Sequence, residues 1–304
     1  MSRRRYLQLD VFAHRPGAGN PLAVVLDAGA CPEQGRGRLD DAAMQAIARW
    51  TRLPETTFVF PPPSPGASYG IRIFSPRREV PFAGHPSVGT AHAVLQAGLA
   101  TPRDGLLVQS GVAGELPLRV QGEGATRTIA VRTPRAKVVE VADAAHPQLR
   151  DALAGLPPGR LPQALVDGGR RWWLAELESE AALRAATPDW DAIERLAHAT
   201  DSMGLCVFAR SDDPVYYLAV RAWVGSTGRF EDAASGAANA TLAAWLASQG
   251  ALPGDGGRYR ISQGREVGHD AIIELHVDEA GDVWSGGRVQ TVVDGVIDWG
   301  EADA

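Results

Sequence analysis

The sequence predicts an α+β protein built from two similar strand-rich halves, each curled around one buried helix. Three observations lead there. The chain has 304 residues with 34 glycines and 21 prolines, which cut it into many short segments. Two helix-forming stretches, SVGTAHAVLQA at 87–97 and ASGAANATLAA at 234–244, consist mostly of small residues. Such a helix suits enclosure by a curled sheet better than a place on a surface. The two stretches also coincide when the chain is slid by 147 positions, from 89 to 236. Gly89 then meets Gly236, Ala91 meets Ala238, Ala93 meets Ala240 and Leu95 meets Leu242, while His85 meets Asp232. The expected domains are residues 1–130 and 131–304.

The elements follow from pattern and punctuation. Leu7 to Phe12 alternates and then runs apolar, and PLAVVLDA at 21–28 is a stronger strand; HRPGAGN at 14–20 is the loop between them. LDDAAMQAIARW at 39–50 puts Met44, Ile47 and Ala48 on one side of a helix, with Asp40 or Asp41 near its start. PETTFVF at 54–60 and YGIRIFS at 69–75 read as strands. A helix is expected over 86–98, stopped by Gly98. LLVQS, LPLRV and TIAVRT are strands between 106 and 133. RRWWLAEL at 170–177, LCVFAR at 205–210 and VYYLAVRAWV at 215–224 are three more, with a helix over 189–200 among them. A glycine-closed helix lies within 232–250, and the tail alternates strand and turn. Trp172, Trp173, Trp223 and Trp245 read as packing residues.

The bulk numbers exclude several classes. A formal net charge of −6 argues against a nucleic-acid surface. No apolar run approaches the roughly 20 residues of a membrane span. The basic opening SRRR leads into YLQLDVFA, which is too short and interrupted for a secretory apolar region. Cys31 and Cys206 offer neither a disulfide framework nor metal spacing, so a reducing cytoplasm is the default location. His92 follows His85 by seven positions with no carboxylate or thiol at ligand spacing, so no metal is expected. The glycine pairs at 168, 256 and 286 lack the context of a nucleotide loop, and Ser87 and Ser235 sit in no nucleophile elbow.

If both small-residue helices begin at one cleft, their positive ends converge there and hold an anion, most simply a carboxylate. Neutralising a carboxylate eases proton removal beside it, and a general acid/base completes the chemistry. Glu55, between an apolar helix and an apolar strand, reads either as a partly desolvated base or as a surface turn residue. His85, at a helix start, reads as an acid/base or a structural cap. Asp232 reads as an N-cap, which leaves a catalytic role open. His14 and Asn20 border a glycine loop and either line a pocket or shape it.

The segments DVFAHRPGAGNPLAVV, LPETTF, IRIFSPRREVPFAGHPSVGTA, GRFEDAASGAA and ISQGREVG span nearly the whole chain in order. Together they resemble the PhzF-like family of phenazine-biosynthesis isomerases, of the diaminopimelate epimerase-like fold. The resemblance implies two pseudo-symmetric domains, each a strand barrel around a central helix, with an active site between them, no cofactor and a homodimer. It places the catalytic roles on Glu55, His85 and Asp232: Glu55 moves a proton along a small unsaturated or amino carboxylic acid while the other two orient substrate and steady charge. It places substrate contacts on Asn20, Gly84, Ser235 and Gly236. It also implies a setting in secondary, antibiotic-like metabolism.

One departure stands out. The family pattern D-x-A-T-G-S-A reads DAASGAA here, so Ser235 keeps a hydroxyl and Ala237 loses one. In some members that serine touches the substrate, so a different ligand is expected. The two-thiol epimerases of the same fold use paired cysteines, and neither Cys31 nor Cys206 occupies the position of Glu55, His85 or Asp232. The alternatives are an epimerase or lyase of a related acid, and a non-catalytic acid-binding protein.

Overall fold

A computed structural model describes residues 2–30, 37–142 and 146–299. Cys31 lies outside the described residues. The chain forms two compact units, one of Met1–Val131 with Gly286–Ala304 and one of Arg132–Ser285.

The first unit begins with strands β1 (Ser2–Val11) and β2 (Asn20–Val25), then helix α1 (Asp41–Thr51). It continues with β3 (Glu55–Phe60), β4 (Tyr69–Phe74), the two-residue β5 (Glu79–Val80) and helix α2 (Gly84–Gln96). Strands β6 (Leu106–Gly111), β7 (Gly114–Gln121) and β8 (Thr128–Arg132) follow. The ladder is antiparallel for β1–β2, parallel for β2–β3, antiparallel for β3–β4, parallel for β4–β6, then antiparallel through β6–β7–β8. The short β5 pairs antiparallel with β4.

Helix α1 closes one face of this sheet. Asp40 caps it by accepting from the Ala43 N–H, and Met44, Ile47 and Ala48 are its buried residues, as the periodicity predicts. They join Val25, Phe58 and Phe74 in one cluster. Helix α2 lies against β1, β2 and β3. Ten of its thirteen residues are buried, so it has no solvent face, which is why its sequence must be small all round. A Cβ on Gly89 would stand 2.5 Å from Leu22 Cδ2 and 2.8 Å from Val11 Cγ2. The helix begins two residues before the expected start, so His85 lies inside its first turn, and Gly98 follows its end at φ +67°.

The second unit repeats this wiring. It runs β9 (Lys137–Val141), α3 (Pro147–Ala152), β10 (Ala164–Asp167), β11 (Arg171–Glu176), α4 (Glu180–Ala185) and α5 (Trp190–Thr200). Then come β12 (Gly204–Arg210), β13 (Leu218–Val224), β14 (Phe230–Asp232) and α6 (Gly236–Ser248). Strands β15 (Arg258–Gln263) and β16 (Ala271–Val277) follow, and β17 (Val283–Gly287) carries the chain out of this unit after Ser285. Pairing is antiparallel for β10–β11, parallel for β11–β12, antiparallel for β12–β13, parallel for β13–β15 and antiparallel for β15–β16, with the short β14 antiparallel on β13. This is the order of hands found in the first unit. Trp173 and Trp223 join Ile193 and Leu196 of α5 in one core, and Trp172 and Trp245 are also buried.

Two expectations are corrected. The described residues from Gly286 onward belong to the first unit, not to a second domain running to 304, because Val289–Trp299 pairs antiparallel along the whole of β1. The repeat offset also changes. The first residues of α2 and α6, Gly84 and Gly236, are 152 positions apart. Val80 pairs with Ile73 as Asp232 pairs with Ala222, so Asp232 stands where Val80 stands, and His85 corresponds to Ala237. Small-residue helices match one another in several registers, whereas a strand ladder admits one.

Candidate active site

In the first unit the structure brings two of the expected residues together. The chain leaves α1 through Arg52 in a left-handed conformation and enters β3 directly at Glu55, which pairs in parallel register with Leu22. Glu55 is therefore the first residue of a strand with buried neighbours, and its side chain is only 14% exposed. His85 is the second residue of α2 and its side chain is 8% exposed. His85 Nε2 lies 3.4 Å from Glu55 Oε2. The surface-turn reading of Glu55 is thereby excluded.

The supporting contacts are polar and buried. Thr57 and Thr90 share a hydroxyl hydrogen bond of 2.8 Å that ties β3 to α2. Gln109 Nε2 donates to Ser87 Oγ at 3.0 Å, and Ser87 Oγ donates to the Ala83 carbonyl at 2.9 Å. Ala83, the N-cap of α2, makes no side-chain capping hydrogen bond. Asn20 is the buried first residue of β2, opposite Val11.

In the second unit Asp232 ends β14, and the N-cap of α6 is Ser235, not Asp232. Ser235 Oγ accepts from the Ala238 N–H at 3.3 Å. Asp232 Oδ1 accepts from the Ala234 N–H at 3.3 Å, so it closes the turn before the helix. The family-type motif reads as a cap because Asp precedes a helical run. The intervening turn moves that role three residues on. Gly236, the first residue of α6, is buried; Ala237, the second, is half-buried.

Gln263, fully buried on β15, holds this turn from three sides. Its Nε2 donates to the Asp232 carbonyl at 2.7 Å, and its Oε1 accepts from the Ser235 N–H at 3.1 Å and from Asn239 Nδ2 at 2.7 Å. Just before it, Arg221 grips Glu231 through Nε and Nη2, both side chains at most 5% exposed, with its guanidinium over the Trp223 ring. The first unit carries the same device: Arg72 grips Glu79 through Nε and Nη2 and stacks over Phe74. Sequence reasoning places Glu79, Glu231 and Gln263 inside motifs without assigning them, because their partners lie on other strands. Cys206 is buried, and burial, followed by the negative charge of Asp232, pushes its thiol up, away from thiolate chemistry.

A family model described as "Phenazine biosynthesis-like protein" matches residues 9–295. The chain belongs to that family. It is 32% identical to trans-2,3-dihydro-3-hydroxyanthranilate isomerase of Pseudomonas aeruginosa over 91% of this chain and 92% of the relative. It is 30% identical to antisense-enhancing sequence 1 of Schizosaccharomyces pombe, over 97% and 99%. The solved phenazine biosynthesis protein of the PhzF family from Bacillus anthracis matches with TM-score 0.78 at 21% identity, covering 98% of this chain and 99% of that one. A probable proline racemase from Agrobacterium radiobacter matches with TM-score 0.64 at 14% identity over 98% and 93%, which places the fold in the diaminopimelate epimerase-like class. Membership supports the isomerase class expected from the motifs. No helix among the described residues is long and apolar enough to cross a membrane.

Proposed function

We propose that the protein moves a proton along a small unsaturated or amino carboxylic acid, with Glu55 as the single base. The observation that carries this is the buried Glu55–His85 pair at 3.4 Å, in the first turn of α2. Glu55 takes the proton from the carbon next to the activating group. The electron pair shifts along the conjugated system, and Glu55 returns the proton at the far end. His85 Nε2–H, facing the carboxylate, steadies Glu55 while it is charged and aims it when it is protonated. The N–H groups of Gly84 and His85, with Asn20, are assigned to the substrate's carboxylate and polar groups. Asp232, Ser235 and Gly236 are assigned to substrate contact on the family motif that they match. A role in secondary metabolism goes with this reading.

The substrate named for the Pseudomonas relative is the first compound to test. Turnover of trans-2,3-dihydro-3-hydroxyanthranilate in D₂O should place deuterium at a new carbon. Glu55→Gln should lower kcat by about 10²–10⁴-fold, the range for loss of a general base, with the fold intact. Turnover near the wild-type value in Glu55→Gln removes Glu55 from its role. Ala237 stands where some members carry a substrate-touching serine, so Ala237→Ser should raise kcat/KM on this compound. An unchanged value means that Ala237 does not set substrate choice.

A further inference from the structure

The second unit holds a cavity of about 400 Å³ that no feature of the proton-transfer chemistry uses. Four leucines, Leu149, Leu153, Leu156 and Leu177, form its apolar lining. Glu176, 4% exposed at the end of β11, accepts from the Arg160 and Leu161 N–H groups through Oε2 at 2.8 and 2.9 Å, which staples the loop after Pro158 to the sheet. Glu176 Oε1 meets Arg210 Nε at 3.3 Å, so this carboxylate is already compensated. The His146 ring packs edge-on against Trp173, and its Nδ1 accepts from the Leu149 N–H at 3.3 Å.

Besides Glu176, the polar side chains of the lining are His146, Arg150 and Gln163. His146 Nδ1 accepts from the Leu149 N–H, and its Nε2 faces Glu140 Oε1 at 4.0 Å. The Arg150 guanidinium, also at the lining, makes no hydrogen bond or ion pair among the described residues. A largely apolar cavity of this size, with the Arg150 guanidinium in its lining, fits the general build of a small-molecule site.

We infer that this cavity binds a small amphipathic carboxylate, its hydrocarbon part against the leucines and its head on the Arg150 guanidinium. Neither Glu55 nor His85 is among the lining residues, so the inference stands whether or not the proposed proton transfer holds.

Octanoate is the probe, titrated calorimetrically into the full chain, with amide shifts of Arg150 and Leu177 locating it. Binding should show a Kd below about 1 mM. Arg150→Ala, a surface change that leaves the core alone, should weaken it at least about tenfold. Leu153→Trp, which fills the chamber, should abolish it in protein whose circular dichroism matches the wild type. 1-Octanol should bind at least about tenfold more weakly than octanoate. Glu55→Gln should bind octanoate as the wild type does. The inference is overturned by no binding at 1 mM, by equal affinity in Arg150→Ala, by octanol binding as tightly as octanoate, or by loss of binding in Glu55→Gln.

Discussion

Replacing Gln263 with leucine tests whether one side chain holds the turn that carries Asp232. The exchange keeps the approximate volume and removes every polar atom of a fully buried side chain. Three hydrogen bonds go, at 2.7, 3.1 and 2.7 Å. Asn239 Nδ2 keeps its bond to the Ser235 carbonyl at 2.7 Å, so it is not orphaned. The Ser235 N–H is orphaned inside the protein, and the Asp232 carbonyl loses its donor at a half-buried position. An unsatisfied buried polar group costs about 1–3 kcal/mol. The full cost at Ser235 and part of it at Asp232 sum to about 3 kcal/mol. Leucine's own apolar packing offsets little of this, because the side chain it replaces already fills the site. Urea unfolding of the transition that carries the second unit should show this loss with an unchanged slope. Amide exchange at Ser235 should accelerate with it. A loss below about 1 kcal/mol, in a variant whose Ser235 amide stays protected, refutes the assignment of this turn to Gln263.

Gly89→Ala should destabilise the first unit by about 1–3 kcal/mol despite alanine's better helix propensity, because its Cβ overlaps Leu22 and Val11; a rise in Tm contradicts the enclosed-helix account. Ser235→Ala should cost about 0.5–2 kcal/mol as a lost cap, whereas Asp232→Asn should leave stability nearly unchanged while reducing turnover; the reverse pattern restores Asp232 as the cap. His92, in α2, is pushed down to about 4, by burial first and then by the charge of Arg127, against a hydrogen bond from Gln96 that acts the other way. The unfolded chain therefore binds more protons between pH 4 and 6.5, so stability falls as pH falls through that window. The loss is about 2 kcal/mol between pH 7 and 5. His92→Gln should flatten that part of the urea-midpoint profile; equal slopes for both proteins refute it.

Much of the architecture was legible in order along the chain. Met44, Ile47 and Ala48 announced the buried side of α1 because a helix repeats within a few residues. Gly98 and Gly250, both at positive φ, ended their helices as their side-chain-free backbone allows. The motifs around Glu55 and His85 marked residues that the fold places 3.4 Å apart. The strand β9, exposed along most of its length, and the six-residue helices α3 and α4 were missed, since elements that short carry little periodic signal of their own.

The amino-acid order alone determined the family, the α+β class, most elements and which glutamate and histidine to look for, because local periodicity and contiguous motifs are written within a dozen residues. Only the tertiary structure decided that Val289–Trp299 joins β1, that Asp232 matches Val80 and not His85, that Ser235 caps α6, and that Gln263 holds the turn. Each of these depends on which strand lies across from which, and strand partners far apart in sequence leave no mark in the spacing of either one.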